Sequence, residues 1–314
     1  MNDRNFRQML EAQWAKGNFV CVGLDSEFGK IPTCVRFMKD GEAADEEFAV
    51  RKFNERIVDE TKNLVCAYKL NVAFYEALGD VGYRALRETV AYIHEVAPDV
   101  PVILDAKRAD IGNTNAGYVR FAFGFVGADA VTVHPYLGAE ALQPFLARKE
   151  KGIIVLCRTS NPGADEFQDR KVVLTFGELA ELVGNADEAD NLIGTMGWSD
   201  PSGSYRMPMY QYVALRVSRH WNKNGNCALV VGATCPDELR EVRGLVGNMP
   251  ILIPGIGAQG GDVEKTVTAG KDSRGRGIII NSSRGIIFAS DSSDFAEAAR
   301  RETEKLRDLI NRYR

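Results

Sequence analysis

Eight short runs of almost unbroken Val, Ile, Leu, Ala and Cys recur along this chain, at 19–24 (FVCVGL), 64–70 (LVCAYKL), 101–104 (PVIL), 130–133 (AVTV), 152–157 (GIIVLC), 227–232 (CALVVG), 250–254 (PILIP) and 277–281 (GIIIN). A strand with one wet face alternates apolar and polar residues. Runs that are apolar at nearly every position need cover on both faces, as in a parallel sheet flanked by helices. The intervening segments can supply those helices: 43–62 sets Phe53 and Ile57 four apart, 75–96 carries Leu78, Leu86, Val90 and Ile93 among charges, and 294–312 carries Phe295, Leu306 and Ile310. Segments 114–126, 138–149, 236–246 and 260–270 are shorter candidates. Eight strand-then-helix units predict an α/β chain folded as a (β/α)₈ TIM barrel. A doubly wound open sheet is the alternative, but the first run lacks the Gly-x-Gly-x-x-Gly turn of a dinucleotide binder.

The 314 residues, 45% of them apolar, suffice for one large core. A barrel of roughly 250 residues with an excursion fits, so the expectation is a single domain over 1–314. The excursion is an insertion at about 161–226, between the fifth and sixth runs, containing GWSDPSGSYRMP and a helix at 208–221. Its position after a barrel strand lets it border an active site.

A net charge of −4 and a pI near 5.6 provide no basic field, so no nucleic acid partner is expected. Cys21, Cys34, Cys66, Cys157, Cys227 and Cys235 have no paired spacing and read as reduced core residues. With only His94, His134 and His220, and no His-x-x-x-His or Cys-x-x-Cys, no metal site is expected. No secretory segment opens the chain, and no apolar run reaches the ~20 residues needed to cross a bilayer. A cytoplasmic protein without membrane attachment is expected.

The chemistry gathers where the runs end. In VILDAKRADIGNTN (102–115) the third run leads into Asp105 and Lys107, which on an extended strand point the same way, with Asp110 in the turn beyond. The first run ends at Asp25, and the second at Lys69 followed by Asn71. One such charge alone reads as a surface ion pair. Three successive strands ending in ionisable groups converge on the C-terminal mouth, where barrel enzymes keep their chemistry. Alternating ammonium and carboxylate groups can all stay ionised in a partly dry pocket. The fifth run leads to Arg158-Thr159-Ser160-Asn161-Pro162-Gly163, a turn sequence whose Ser160 can hydrogen-bond a polar ring. The seventh leads to Pro254-Gly255-Ile256-Gly257-Ala258-Gln259-Gly260-Gly261 and the eighth to Asn281-Ser282-Ser283-Arg284-Gly285. Glycine-rich backbone and an arginine after these two strands predict a phosphate site, and a phosphomonoester substrate.

LDAKRADIGNT, CRTSNPG, PGIGAQGG and Arg284, in that order, resemble the landmarks of the orotidine 5′-phosphate decarboxylase family, over about 20–288. The size and the CRTSNPG form are similar to its longer bacterial branch. The resemblance implies cofactor-free decarboxylation of orotidine 5′-phosphate to UMP. It implies a charged network of Lys69, Asp105, Lys107 and Asp110, with Lys107 as proton donor. Asp110 would act across a homodimer interface with Ile111 and Thr114, making each active site composite. Asp25 and Lys69 would hold ribose hydroxyls, Thr114 would reach the ribose from the neighbouring subunit, and Ser160 would contact the pyrimidine. Gln259 and Arg284 would grip the phosphate, with Pro254 and Ser283 also binding substrate. Phosphate binding would close loops 160–166 and 255–262. The chain departs from the family pattern at Ser26, where proline is common, at Asn161, where histidine often follows the serine, and at NSSR. Two other readings stand beside this one. The first is a Mg²⁺-dependent sister barrel acting on a keto-sugar phosphate through an enediolate, which presents a carboxylate ligand where this chain has Lys69. The second is a nucleotide-binding barrel without activity.

Overall fold

The computed structural model describes residues 4–37, 41–198, 204–257 and 260–314. Ten strands occur among them: β1 (Val20–Gly23), β2 (Val65–Asn71), β3 (Val102–Arg108), β4 (Ala130–Val133), β5 (Gly152–Arg158), β6 (Lys171–Leu174), β7 (Tyr205–Pro208), β8 (Cys227–Val231), β9 (Ile251–Pro254) and β10 (Ile278–Ser282). Eight close into a parallel barrel in the order β1-β10-β9-β8-β5-β4-β3-β2, and each corresponds to one of the apolar runs. Every residue of β1, β4, β8 and β10 is buried, as two-sided cover requires.

The outer helices form where the apolar spacing places them. Glu46–Thr61 buries Val50, Phe53, Ile57 and Val58 against the barrel. It starts at Asp45, whose carboxylate accepts the Glu47 N–H, and Glu46 and Glu47 in its first turn complement the helix dipole. Gly79–Val96, Pro236–Val246 and Phe295–Tyr313 behave alike, each burying one stripe. Full burial of each such Leu, Ile, Val or Phe contributes about 1.5–3 kcal/mol, which holds helix to sheet. A further helix, Phe6–Ala15, buries Phe6, Leu10 and Trp14. Just before it Arg4 clasps Asp129 with two hydrogen bonds of 2.9 and 2.7 Å, next to the start of β4. Burial would raise the Asp129 carboxyl, but His94, Arg4 and the Val102 N–H outweigh it and hold it well below the usual carboxylate range.

The segment between β5 and β8 is ordered by its own secondary structure. β6 and β7 pair as an antiparallel hairpin, Lys171 opposite Pro208, and enclose helices Phe176–Val183 and Ala186–Met196. The expected helix at 208–221 is present as Met209–Leu215, continued by a π-helical turn over Arg216–Trp221. Five residues of GWSDPSGSYRMP, 199–203, lie outside the described residues. Two expectations need correction. Cys34 is exposed and Cys235 half-buried, because both follow the barrel strands instead of lying in them; the other four cysteines are buried, and all six are free. The segment 138–149 holds only two single-turn helices, Gly138–Ala141 and Gln143–Leu146, with Pro144 opening the second.

Candidate active site

A cavity of about 600 Å³ opens at the C-terminal mouth of the barrel. Its walls come from all eight barrel strands or their exits: Asp25 after β1, Lys69 and Asn71 on β2, Asp105 and Lys107 on β3, Thr132 on β4, Leu156 on β5 with Ser160 beyond it, Val230 on β8, Leu252 and Pro254 on β9, and Asn281 on β10 with Ser283 and Arg284 beyond it. Thr132, Leu156, Val230 and Leu252 were not singled out from the sequence. Nothing in a run such as AVTV or CALVVG marks which residue faces the barrel mouth.

Four charges form a continuous chain within one protomer. The Lys69 amine donates to Asp25 Oδ1 at 3.4 Å and to Asp105 Oδ2 at 3.3 Å, and the Lys107 amine donates to Asp105 Oδ1 at 2.7 Å. Thr132 Oγ1 donates to the same Asp105 oxygen at 2.8 Å. Lys69 is only 4% exposed. Burial alone would lower its pKa, but Asp25 and then Asp105 outweigh it and raise it above the ordinary lysine value. Burial would likewise raise Asp105, yet Lys69 and Lys107, with hydrogen bonds from Lys107 and Thr132, hold it well below the usual carboxylate range. Lys69 and Asp105 therefore face each other as a charged pair at neutral pH. Beneath it, burial pushes the Cys21 thiol up to about 12 against the pull of Lys69, so it stays protonated.

The exit of β3 departs from simple alternation. Lys107 has φ +46°, the only residue other than glycine with positive φ among the described residues. The pairing with β4 jumps from Leu104 opposite Val131 to Arg108 opposite Val133. Lys107 N–H is satisfied by Thr132 Oγ1 at 2.9 Å. This bulge, at a cost of about 1–2 kcal/mol for the left-handed backbone, turns the Lys107 amine back onto Asp105.

Asp110 takes no part in that chain of contacts, and neither it nor Ile111 nor Thr114 lines the cavity. Asp110 Oδ1 accepts the Ile111 N–H at 2.6 Å. The buried Asn115 holds its backbone, accepting from Asp110 N at 2.8 Å and donating to its carbonyl and to that of Ala141. The four-charge network is thus Asp25-Lys69-Asp105-Lys107, and Asp110 in the turn beyond β3 lies outside it.

At the exit of β10, the strand beside β1, Ser283 Oγ donates to the Gly23 carbonyl at 2.9 Å, fixing that hydroxyl. The Arg284 side chain is exposed and makes no hydrogen bond or ion pair among the described residues. Gly255 and Gly257 adopt φ +106° and +80°, which closes the turn after β9 tightly. Gln259 lies outside the described residues. Ser26 is buried and donates to Asn54 Oδ1 at 2.6 Å, so the family's usual proline is replaced by a hydrogen bond to the helix after β1. Asn281 Oδ1 is buried without a donor among the described residues, the one uncharged polar atom of the cavity wall left so.

The sequence model described as "Orotidine 5′-phosphate decarboxylase / HUMPS family" matches residues 19–300. An orotidine 5′-phosphate decarboxylase of Cellvibrio japonicus (strain Ueda107) is 43% identical over 308 residues, 98% of each chain. Among solved structures, the orotidine monophosphate decarboxylase of Leishmania donovani superposes with a TM-score of 0.74 at 32% identity, covering 98% of this chain and 99% of that one. The UMP synthase of the same organism gives 0.75 at 33% identity, but this chain spans 56% of that longer protein. A full-length match to the family's sequence pattern and to its barrel, with the charged cluster at the expected strand ends, places the chain in the orotidine 5′-phosphate decarboxylase family.

Proposed function

We propose that this chain converts orotidine 5′-phosphate to UMP, the last step of de novo pyrimidine nucleotide synthesis, as a single barrel domain that needs no cofactor. The observation that carries the reading is one carboxylate, Asp105, clasped by the amines of Lys69 and Lys107 inside a cavity that also holds Arg284. In the reaction the bond from the pyrimidine ring to the carboxylate breaks, carbon dioxide leaves, and the electron pair stays on the ring carbon. No conjugated sink delocalises that pair. The Lys107 ammonium stabilises the developing charge, then transfers a proton to the carbon and is reprotonated from solvent. Asp105 fixes the Lys107 amine and, with Asp25, keeps Lys69 charged in a buried position.

Ribose hydroxyls sit against Asp25 and Lys69, the pyrimidine against Ser160 and Pro254, and the phosphate against Ser283, Arg284 and Gln259. The free guanidinium of Arg284 next to the glycine turn after β9 supports that end for the phosphate. Its binding energy closes the loops at 160–166 and 255–262 over the site. Lys69 stands where a metal-dependent sister barrel offers a carboxylate, and a cation there repels a divalent ion. Decarboxylation is therefore expected to persist in EDTA, followed as loss of orotate absorbance. Activity abolished by chelation and restored by Mg²⁺ would favour the sister reaction instead.

The working unit is a homodimer with composite sites, in which Asp110, Ile111 and Thr114 reach the partner's cavity. The support is local: Ile111 is 59% exposed, an apolar side chain next to a rigidly held Asp110 that its own cavity does not use. Two inactive proteins, Lys107→Ala and Asp110→Ala, are then expected to regain activity when their subunits are exchanged. A hybrid has one intact site, so random exchange restores about a quarter of all sites. Mixtures that stay inactive although hybrids form would place Asp110 in its own subunit's chemistry. The net charge of −4 and the lack, among the described residues, of a helix long and apolar enough to cross a membrane accord with a cytoplasmic setting.

A further inference from the structure

The exit of β5 is held from an unexpected direction. Gln168, which belongs to the excursion between β5 and β8, lines the active-site cavity together with Thr159 and Ser160. Its Oε1 accepts the Thr159 N–H at 2.8 Å and its Nε2 donates to Thr159 Oγ1 at 2.9 Å. The Thr159 hydroxyl passes its own proton on to Asn161 Oδ1 at 2.6 Å. The remaining backbone group of Thr159, its carbonyl, accepts from the buried Arg158 at 2.9 Å, and Arg158 pairs with Asp169 at 2.9 Å. Every polar group of Thr159 is therefore engaged, and residues 168 and 169 anchor the arrangement. Their own backbone is pinned to the returning helix, where Tyr210 N donates to Gln168 O at 3.0 Å and Met209 N to Arg170 O at 2.8 Å.

Ser160 has no freedom on its other side. A β-carbon on Gly232, at the end of β8, would stand 2.6 Å from Ser160 Cβ and 2.9 Å from its nitrogen. The Ser160 backbone thus rests directly on that glycine, with Thr159 clamped in front of it. A turn-forming Ser-Asn-Pro-Gly sequence samples many conformations when unsupported.

We infer that Gln168 is a positioning residue for substrate: through Thr159 it fixes Ser160 where it meets the pyrimidine, so that the excursion between β5 and β8 is part of the base-recognition apparatus. The inference rests on the proposed assignment of Ser160 to the base. It assigns Gln168 no contact with the reacting atoms. A preorganised loop lowers the ordering cost of binding, and the benefit falls on ligands that carry a base.

The test is calorimetric binding of two probes, UMP and ribose 5-phosphate, to the full-length protein. Gln168→Leu is expected to weaken UMP roughly tenfold while ribose 5-phosphate changes by less than about twofold, with KM for orotidine 5′-phosphate rising more than kcat falls. Thr159→Val removes the hydroxyl end of the contact while leaving the Thr159 N–H bond to Gln168 Oε1, and serves if the leucine variant does not fold. It is expected to give a smaller loss with the same selectivity for UMP, and the double variant to be no weaker than the worse single one. Unchanged UMP affinity in both variants overturns the inference. So does an equal loss for both probes, which marks a general structural role, and so does an effect of Gln168→Leu that Thr159→Val lacks and adds to, which marks a direct contact between Gln168 and the base. Failure of the wild-type protein to bind UMP overturns the ligand assignment itself, and the inference with it.

Discussion

Lys107→Ala is expected to lower kcat for orotidine 5′-phosphate by about 10⁴- to 10⁷-fold, the product of ~10²–10⁴ for a lost proton donor and ~10²–10³ for lost stabilisation of the developing carbanion. The fold should survive. The Lys107 side chain is half exposed and, among the described residues, its amine pairs only with Asp105, while Asp105 keeps Lys69 and Thr132 as partners. Unfolding in urea is accordingly expected within ~1 kcal/mol of the wild-type protein. Alanine retains the β-carbon, so the left-handed backbone at 107 stays as strained as before. Purified variant that still turns over at a near-normal rate would remove Lys107 from the chemistry.

Asp105→Asn is expected to separate binding from turnover. The amide keeps the shape of the side chain, but the cluster within one protomer changes from two cations and two anions to two cations and one anion. The site then attracts an anionic ligand more strongly while holding the Lys107 amine less well. We expect kcat to fall by about 10³-fold or more and UMP to bind at least as tightly as before. A variant that loses UMP affinity in step with turnover would show that Asp105 serves ligand binding instead. The same variant has a pH signature. Because the folded Asp105 carboxyl lies below its unfolded value, its stabilising contribution is complete above about pH 4 and is lost as the pH falls further. The asparagine variant should therefore lose less stability than the wild-type protein between pH 6 and pH 3, measured by urea unfolding at each pH. At neutral pH the wild-type rate should show no step from Asp105, which is ionised throughout.

Asp25, Lys69 and Asp105 were legible in the sequence because each terminates an apolar run, and in a parallel barrel a strand's C-terminal end has only one destination. Ser160, Pro254, Ser283 and Arg284 follow from the same logic, and all four line the cavity. Lys107 was legible for a different reason than the one that places it. Two-residue alternation on an extended strand leads to the right side of the sheet, but the amine arrives there through a bulge and a positive φ that no local pattern announces. The hairpin of β6 and β7 escaped notice because its strands bury little: Lys171–Leu174 alternates between exposed and half-buried residues, without the continuous apolarity that marks the barrel strands.

Chain order and apolar periodicity by themselves determined the parallel barrel, the number of its strands and the residues that crown them, because strand burial is written into consecutive positions. What only the folded molecule decided is which of those residues meet. Barrel closure and register bring Thr132 to Asp105, leave Lys69 between Asp25 and Asp105, and keep Asp110 outside the cluster. The excursion after β5 folds back to set Gln168 on Thr159. Each of these contacts depends on how strands and loops distant in sequence are packed side by side, and a local period carries no information about that packing.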